Sequence, residues 1–187
     1  MAFSVTQFAA QGLPFGGARP SLFEVDIQTP VGIANVGERV RFTCQSAQIP
    51  AATIASIDVP YFGRQVRVAG NRTFADWTPT ILNDEDFEVR NAMEEWSNSI
   101  NSFQSNLREG TNLLQQYRTV ANVTQFSKTG ARLRTYRFVN IFPTEVSTID
   151  LDWTTDAVET FTCTFVYDYW EVVESNNGLN FNVNFTI

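Results

Sequence analysis

Apolar and polar residues alternate in short stretches along most of the chain, and such alternation predicts β-strands with one buried face. The segment SLFEVDIQ (21–28) is predicted to be the first strand, and TPVGIANVG (29–37) a loop marked by proline and glycine. In ERVRFTCQSAQIP (38–50), apolar residues at every second position predict another strand. AATIASIDVPYFG (51–63) and RQVRVAG (64–70) are predicted to be two further short strands.

The stretch VAGNRTF is predicted to contain a hairpin turn, because the Gly70–Asn71 pair suits a primed turn with positive φ angles. The alternation continues in RTFADWTPTILN, where Pro79 implies an edge strand or a bulge, since proline lacks the N–H that a central strand needs. The pattern therefore places a hairpin and a sheet edge in this part of the chain.

One amphipathic helix is predicted after this strand. Asn83 is a candidate N-cap residue, and the carboxylates of Asp84, Glu85 and Asp86 would lie at the positive end of the helix dipole. Apolar residues then recur at helical spacing, which predicts a helix from about 84 to 100.

Strand-like alternation returns after a polar connection of unassigned structure at 101–118, in TVANVTQFSK, RLRTYRFVNIFP and VSTIDLDW. It is clearest in ETFTCTFVYDYWE, where apolar residues from Phe161 to Tyr169 take one face of a single strand of about a dozen residues. Since strands usually have about five or six residues, this length indicates a large sheet or one that continues into a neighbouring chain.

These elements predict a mainly β fold, an antiparallel β-sandwich or barrel with one amphipathic α-helix and extended terminal arms. A chain of 187 residues corresponds to one domain, at about 150 residues per domain. We expect an N-terminal arm over 1–18, the β domain over 19–171 and a C-terminal extension over 172–187. The residues expected in the core are Phe42, Cys44, Trp77, Trp96, Trp153, Phe161, Cys163 and Phe165.

Composition narrows the possible chemistry. The chain has no histidine, which is the commonest general base and a common zinc ligand, and with only two cysteines this argues against a structural zinc site. No motif in the sequence carries chemistry, so we expect no catalytic residue, no metal and no cofactor. The two cysteines lie far apart in apolar runs, which favours two buried thiols in a reducing compartment. The N-terminal segment lacks the features of a signal peptide, and no apolar run is long enough to span a membrane.

The formal net charge of −7 argues against a surface that binds phosphate backbones. Charge is also unevenly distributed along the sequence. Five basic and no acidic residues lie between Arg118 and Arg137, whereas eight acidic and no basic residues follow from Phe138 onward. Such blocks suit contact between copies of one chain, although solvated faces are the more common origin.

Three patterns could indicate binding or catalysis, and each has a simpler explanation. Asp150 and Asp152 share one face of a predicted strand at a spacing that a glycosidase could use, but neighbouring carboxylates usually form a solvated face. The four tryptophans could form a carbohydrate platform, but each lies in an apolar pattern typical of a core or an interface. The basic stretch 118–137 could bind single-stranded nucleic acid, but the overall acidity opposes this.

Five separated segments resemble, in order and spacing, the tail tube proteins of contractile-tailed, T-even-like bacteriophages. They are ARPSLFEVDI, FTCQSAQIP, RQVRVAGNRTFADWTPTILND, IFPTEV and IDLDWTTDAVETFTCTFVYDYWE, and they cover most of residues 18–171. The arm before Arg19, the loop 29–37 and the tail after Glu171 depart from the pattern of the family.

The resemblance implies a structural virion protein without enzymatic activity, whose hexameric rings stack into the inner tube of a contractile tail. The implied partners are other copies of itself, the tail sheath protein, and the baseplate tube-initiating and tail-terminating proteins. Double-stranded DNA would pass through without specific binding, no membrane would be involved, and assembly would take place in the host cytoplasm. Two alternatives stay open: a related tube-ring component, either a baseplate tube initiator or a secretion-system tube, and a carbohydrate-binding β-sandwich module.

The resemblance also suggests where copies of the chain contact one another. It places the VAGNRTF loop between subunits, in stacked rings, with Arg72 paired to a carboxylate of a neighbour; an exposed hairpin with solvated arginines is the alternative. The candidate contact residues are Arg19, Arg64, Arg67, Gly70, Asn71 and Arg72.

Overall fold

The computed structural model of the chain describes residues 4–107 and 114–175, and antiparallel β-strands are its main elements. The strands are β1 (Phe23–Ile27), β2 (Cys44–Ser46), β3 (Ala52–Tyr61), β4 (Arg64–Phe74), β5 (Thr80–Leu82), β6 (Thr119–Phe126), β7 (Arg132–Val146), β8 (Thr160–Val166) and β9 (Tyr169–Ser175). The helical elements are α1 (Val5–Gln7), a π-helical turn (Phe8–Gly12), α2 (Gly37–Thr43), α3 (Glu88–Ile100) and α4 (Leu114–Tyr117). The mainly β class predicted from the sequence is confirmed.

Strand β7 connects the two halves of the main sheet. The order of the strands is β1-β6-β7-β8-β5-β2, all antiparallel, and β9 also pairs with β7. β9 lies beside the first part of β7 and β8 beside its last part, with Val139 opposite Tyr169 and Phe142 opposite Val166. Because these two pairs share one register, β8 and β9 form a single long partner for β7 that is interrupted at residues 167–168.

Both strands change their buried face at this interruption. Phe138 and Ile141 of β7 are both fully buried although regular alternation would put them on opposite faces. In the partner strands, Phe165 of β8 is buried and Trp170 of β9 packs against the same core. These residues are five positions apart, so regular alternation would again put them on opposite faces. The predicted single strand ETFTCTFVYDYWE is therefore wrong at this point, and Tyr169, expected on the buried face, is 45% exposed.

Asn140 forms the corner of β7. Its φ angle of 60° is a left-handed value, which asparagine adopts more readily than most residues. Its Nδ2 donates to Asp168 Oδ2 at 2.6 Å, and the Asp168 N–H donates to the Val139 carbonyl at 3.1 Å. Arg118 Nη1 lies 3.5 Å from the other carboxylate oxygen of Asp168. These contacts hold the corner of β7 against the interruption between β8 and β9, where the sheet changes its buried face.

An aromatic cluster forms the centre of the core. Trp77 stacks on Phe138, with ring centroids 4.7 Å apart and planes inclined by 17°, and its centroid lies 5.5 Å from that of Phe165. Trp77 and Phe165 also exchange two backbone hydrogen bonds of 3.0 and 2.8 Å. Trp96 of α3 donates from Nε1 to the Tyr117 carbonyl at 2.8 Å. The buried residues among those expected in the core are Trp77, Trp96, Phe161, Cys163 and Phe165.

Helix α3 begins later than predicted, at Glu88, so the predicted start at 84 is wrong. The residue before it, Phe87, has a left-handed φ of 54°, and its side chain does not cap the helix. Asn83, the predicted N-cap residue, instead donates from its side-chain Nδ2 to the carboxylate of Glu159. The helix itself buries Val89, Ala92, Met93 and Trp96, as its amphipathic pattern predicts.

The carboxylates before α3 bind an arginine. Arg39 of α2 donates to Glu88 Oε2 at 2.8 Å and to Asp84 Oδ2 at 3.0 Å, and it also donates to Asp86. The nearby carboxylate charges, that of Asp86 first and that of Glu88 second, raise the pKa of the Arg39 guanidinium. These ion pairs join α2 to the start of α3. Because Arg39 binds their carboxylates, Asp84 and Asp86 do not form the first turn of the helix.

The segment 38–50 forms helix α2 and the short strand β2 rather than the predicted strand. Val36 and Val40 are both fully buried, and their separation of four residues is a helical spacing that competes with the alternating pattern. Phe42 therefore faces away from the core and is 88% exposed, so its predicted core position is wrong. Cys44 is partly buried and packs against the core.

The predicted strand VSTIDLDW is also wrong, because β7 ends at Val146 and residues 147–159 form a loop. In this loop Asp152 Oδ1 accepts hydrogen bonds from the N–H and the hydroxyl of Thr154, both of 2.8 Å. They close a local turn and lower the pKa of the Asp152 carboxyl. Trp153 lies within this turn and is fully exposed, so its predicted core position is wrong.

The terminal and connecting segments differ in part from the predictions. The N-terminal arm contains α1 and the π-helical turn, so it is not extended throughout. The unassigned connection at 101–118 ends in α4, and its residues 108–113 lie outside the described residues. β9 extends to Ser175, past the predicted start of the C-terminal extension at 172, and residues 176–187 lie outside the described residues.

We predict that Asn140→Ala lowers the free energy of unfolding by about 1 kcal/mol more than Asn140→Gly does. Both substitutions remove the hydrogen bond to Asp168, but only alanine holds a Cβ in the left-handed conformation. Urea denaturation of the dilute protein, followed by tryptophan fluorescence, measures both losses. Equal losses in the two variants would contradict the presence of backbone strain at this corner.

Candidate functional site

Strands β3 and β4 form a hairpin that is separate from the main sheet. Its base is anchored by Phe74, whose ring centroid lies 6.0 Å from that of Tyr167 and 6.1 Å from that of Trp170. Beyond the base, all residues from 53 to 69 are exposed. The hairpin therefore projects from the body of the protein, and the described part of its own chain covers neither of its faces.

One face of the hairpin is apolar. Ile57 lies opposite Val68 and Val59 opposite Val66, and each of these side chains is between 46% and 54% exposed. We call these four side chains the apolar hairpin face. The other face is polar, and there Arg67 Nε lies 3.5 Å from Asp58 Oδ1. A two-stranded ribbon with one uncovered apolar face is only marginally stable in water, so this surface is suited to contact with another protein surface.

The hairpin turn lies at Phe62–Gly63, so the predicted turn at Gly70–Asn71 is wrong. The φ angles of Phe62 and Gly63 are 43° and 77°, and a two-residue turn of the primed type needs positive values at both positions. Phe62 is 90% exposed at this tip and makes an edge-to-face contact with Tyr61 at 4.6 Å.

Gly70 and Asn71 form a bulge within β4. The register pairs Ile54 with Arg72 and Ser56 with Ala69, so two residues of β4 lie opposite the single residue Ala55. A Cβ atom on Gly70 would lie 3.1 Å from the Ala55 carbonyl oxygen and 3.1 Å from Cγ1 of Ile57. A side chain at position 70 would therefore require the opposite strand to move by a few tenths of an ångström.

The structure brings three of the four candidate arginines onto the hairpin. Arg64 lies at the tip opposite Tyr61, Arg67 pairs with Asp58, and Arg72 lies near the base. Among the described residues, neither Arg64 nor Arg72 forms an ion pair. Arg19 is exposed in the turn before β1, and no hydrogen bond or ion pair among the described residues joins its side chain to the hairpin.

Two further segments expose large apolar side chains that sequence reasoning did not assign to a surface. The loop 147–159 exposes Leu151, Trp153 and Val158. The N-terminal arm exposes Val5, Phe8 and Phe15. For the hairpin, a signal was present in the sequence: apolar residues alternate on both sides of Phe62–Gly63.

Several strands have an unpaired edge. Within the described residues, β1 pairs only with β6, β2 only with β5 and β9 only with β7. The outer edges of β3 and β4 are likewise unpaired. Open edges of this kind accept strands from other chains.

The carboxylate pair considered for catalysis is not formed in the structure. Asp150 and Asp152 lie in the loop 147–159 rather than on one strand face, and Asp152 is engaged with Thr154. The described residues contain no group of three histidine, cysteine, aspartate or glutamate side chains that could hold a metal ion. No helix among them has the length and apolar character needed to cross a membrane. Both cysteines are free thiols.

The fold is shared with chains of contractile injection systems. It matches a chain in the cryo-EM structure of an extracellular contractile injection system, the PVC sheath–tube complex in the extended state, with a TM-score of 0.58 and 16% identity over 91% of this chain and 98% of that chain. It also matches a chain of the tube-terminating cap of the anti-feeding prophage, with a TM-score of 0.61 and 18% identity over 83% of this chain and 90% of that chain. These likenesses define the class of fold.

The sequence places the chain within this class. The family described as phage tail tube protein matches residues 18–173. The tail tube protein gp19 of Enterobacteria phage T4 is 33% identical over 156 residues, which are 82% of this chain and 91% of that protein. The gp19 protein of phage T6 is likewise 33% identical over 156 residues. The chain therefore belongs to the phage tail tube protein family, which confirms the resemblance noted in the sequence.

We predict that the protein loses stability as the pH rises from about 9 to about 11. Burial raises the pKa of Cys44 from 9.0 to about 11 and, with the charge of Glu145 second, that of Cys163 from 9.0 to about 12. The unfolded chain therefore releases these thiol protons at lower pH than the folded chain does. The stabilisation is complete below the unfolded pKa and declines as the pH approaches the folded values.

Cys44→Ala supplies the control for this prediction. Each thiol lowers the free energy of unfolding by at most about 1.4 kcal/mol per pH unit in this range, so the variant should show a shallower slope than the wild type. Urea denaturation at successive pH values measures both slopes. Parallel slopes would show that the Cys44 thiol does not contribute.

Proposed function

We propose that the protein polymerises as hexameric rings that stack into the inner tube of a contractile phage tail. The apolar hairpin face is the observation that carries this proposal, in a chain of the tail tube family. Its four side chains are half exposed in the single chain, and burial of apolar surface contributes about 25 cal/mol per Å². Repeated at every junction of a polymer, this contribution favours assembly over the free subunit.

The open edges of the main sheet support ring formation. A long strand edge left unpaired is an aggregation risk in a free monomer. In a ring, neighbouring copies would pair their edges, and the sheets of six copies would close into one barrel with no free edge. The strands of the main sheet available for this pairing are β1, β2 and β9, which each have one partner within the described part of the chain.

The acidity of the chain fits a conduit for double-stranded DNA. Six copies with a formal charge of −7 each give a ring of −42. A strongly acidic wall repels the phosphate backbone, so DNA would pass without specific binding. In this role the protein has no substrate and no turnover, and it acts by assembly and by electrostatic repulsion.

The expected partners are those of a tube inside a sheath. We infer that the outer surface of the tube supports the tail sheath protein and that the tube ends meet a baseplate tube-initiating protein and a tail-terminating protein. The similar chains from a sheath–tube complex and a tube-terminating cap support this inference. The protein would be a virion component assembled in the host cytoplasm, without a membrane.

The hairpin is the proposed contact between subunits. Arg64, Arg67 and Arg72 project from it, and the bulge at Gly70–Asn71 sets the path of its outer half. We propose that these residues and Arg19 lie at contacts between copies, and that Arg72 pairs with a carboxylate of a neighbour. Arg72 has no ion pair in the described part of its own chain, which leaves its charge available for such a contact.

The proposal is tested by negative-stain electron microscopy of the concentrated protein, with light scattering of the dilute protein. Hollow rings or tubes of uniform width are expected at high concentration, in equilibrium with smaller species on dilution. A monomer that remains monodisperse at all concentrations, and that binds saccharides with a change in tryptophan fluorescence, would support the carbohydrate-binding alternative instead.

We predict that Arg72→Glu shortens the tubes and lowers the salt concentration at which they dissociate, whereas Arg72→Lys has little effect. The first substitution reverses a charge that would face a carboxylate, and the second keeps it. Tube length in micrographs and turbidity during a salt titration measure the two effects. Arg72→Glu tubes of normal length and salt resistance would show that Arg72 is solvated.

A further inference from the structure

We propose that the loop 147–159 of one copy docks on the apolar hairpin face of another copy, with Trp153 as the central contact. This inference rests on the proposed function and names the surface that the hairpin meets. It brings together two exposed apolar surfaces of the β body.

The loop presents Trp153 in an ordered turn. Asp152 Oδ1 accepts two hydrogen bonds from Thr154, and the Thr155 N–H donates to the Asp152 carbonyl at 3.3 Å. The side chain of Trp153 therefore projects from a turn that is already formed before any partner binds, which reduces the entropy lost on binding. Fully exposed tryptophan is uncommon in a soluble protein, and tryptophan is the residue type most enriched at the energetic centre of interfaces.

The neighbours of Trp153 extend the apolar contact. Leu151 and Val158 in the same loop are 85% and 70% exposed. The apolar hairpin face offers four branched side chains across two strands, of a size that an indole ring and two aliphatic side chains can cover. Both surfaces are rimmed by charged residues, as protein interfaces usually are.

The charges of the two surfaces are complementary. Hairpin residues 52–74 contain three arginines and one aspartate, which gives a formal charge of +2 in a chain of −7. Loop residues 147–159 contain four acidic and no basic residues, which gives −4. Asp150 and Asp156 form no ion pair within the described part of the chain, and neither does Arg64 beside the apolar hairpin face. Docking would bring these unpaired charges together.

In a ring or a tube this contact would be head-to-tail. The hairpin and the loop are different surfaces of one chain, so each copy can give its loop to one neighbour and receive the loop of another. Contacts of this kind generate rings or filaments rather than closed pairs. The N-terminal arm also exposes apolar side chains that could cover the hairpin, but residues 1–18 contain no charged side chain to meet Arg64.

The first test compares Trp153→Ala with Val31→Ala, which changes an equally exposed residue in the loop 29–37. We expect Trp153→Ala to raise the critical concentration for polymerisation by about 30-fold, the effect of losing an interface hot spot. Val31→Ala should leave it within about twofold of the wild type. Sedimentation measures the critical concentration, and equal urea midpoints of the dilute variants establish that both fold.

The second test identifies the hairpin as the docking surface. A hairpin variant, Val59→Thr with Val66→Thr, keeps the branched shape of the side chains but makes the face polar. Neither this variant nor Trp153→Ala should polymerise at the wild-type critical concentration. When they are mixed, the intact loop of the hairpin variant can dock on the intact hairpin of the other, so analytical ultracentrifugation should detect mixed complexes. Absence of mixed complexes would overturn the inference.

The outcomes separate this inference from the proposed function. Wild-type tubes together with a Trp153→Ala variant that behaves like Val31→Ala would overturn the docking contact and leave the tube function intact. If removal of residues 1–18, rather than Trp153→Ala, raised the critical concentration, the arm would be the occupant of the hairpin and the inference would again be overturned. A wild-type protein that forms no rings or tubes would contradict both.

Discussion

The structure depends on the corner where β7 passes Asn140 opposite residues 167–168. The left-handed backbone of Asn140 and its hydrogen bond to Asp168 change the buried face of both strands at the same level, while the pairing register is kept. One long two-stranded ladder can then contribute Phe138 and Phe165 to a single core, where Trp77 packs against both rings. Without this change of face, half of the ladder would turn its apolar side chains to solvent.

Much of the fold could be predicted from the sequence, and the errors share a physical origin. Periodicity correctly predicts the strictly alternating strand 160–166 and the amphipathic face of α3. One face of each element is buried by the rest of the chain, so its apolar residues recur at a regular spacing. Periodicity failed at Phe42, where a helical spacing of valines and the binding of Arg39 to distant carboxylates override an alternating pattern. It failed at Trp153, because a side-chain hydrogen bond closes a turn within an apolar run.

Arg64, Arg67, Gly70, Asn71 and Arg72, five of the six candidate contact residues, lie on one hairpin, but the geometry of that hairpin was not predicted. The arginines of the hairpin were identified from a resemblance, whereas the turn at Phe62–Gly63 and the bulge at Gly70 depend on which residues of β3 and β4 face each other, a tertiary property. Alternation in the sequence indicates the apolar face of the hairpin strands. The exposure of that face and of Trp153 is seen only in the folded chain. In a monomer they would be liabilities, and in the proposed polymer they would be the surfaces through which copies contact each other.

Coverage of the hairpin on assembly can be measured by amide hydrogen exchange of the dilute and the assembled protein. We expect peptides from residues 52–74 to gain more protection on assembly than peptides from α3, whose buried face is already covered within the single chain. Hairpin peptides that exchange at the same rate in tubes and in the dilute protein would show that the apolar hairpin face remains uncovered in the polymer.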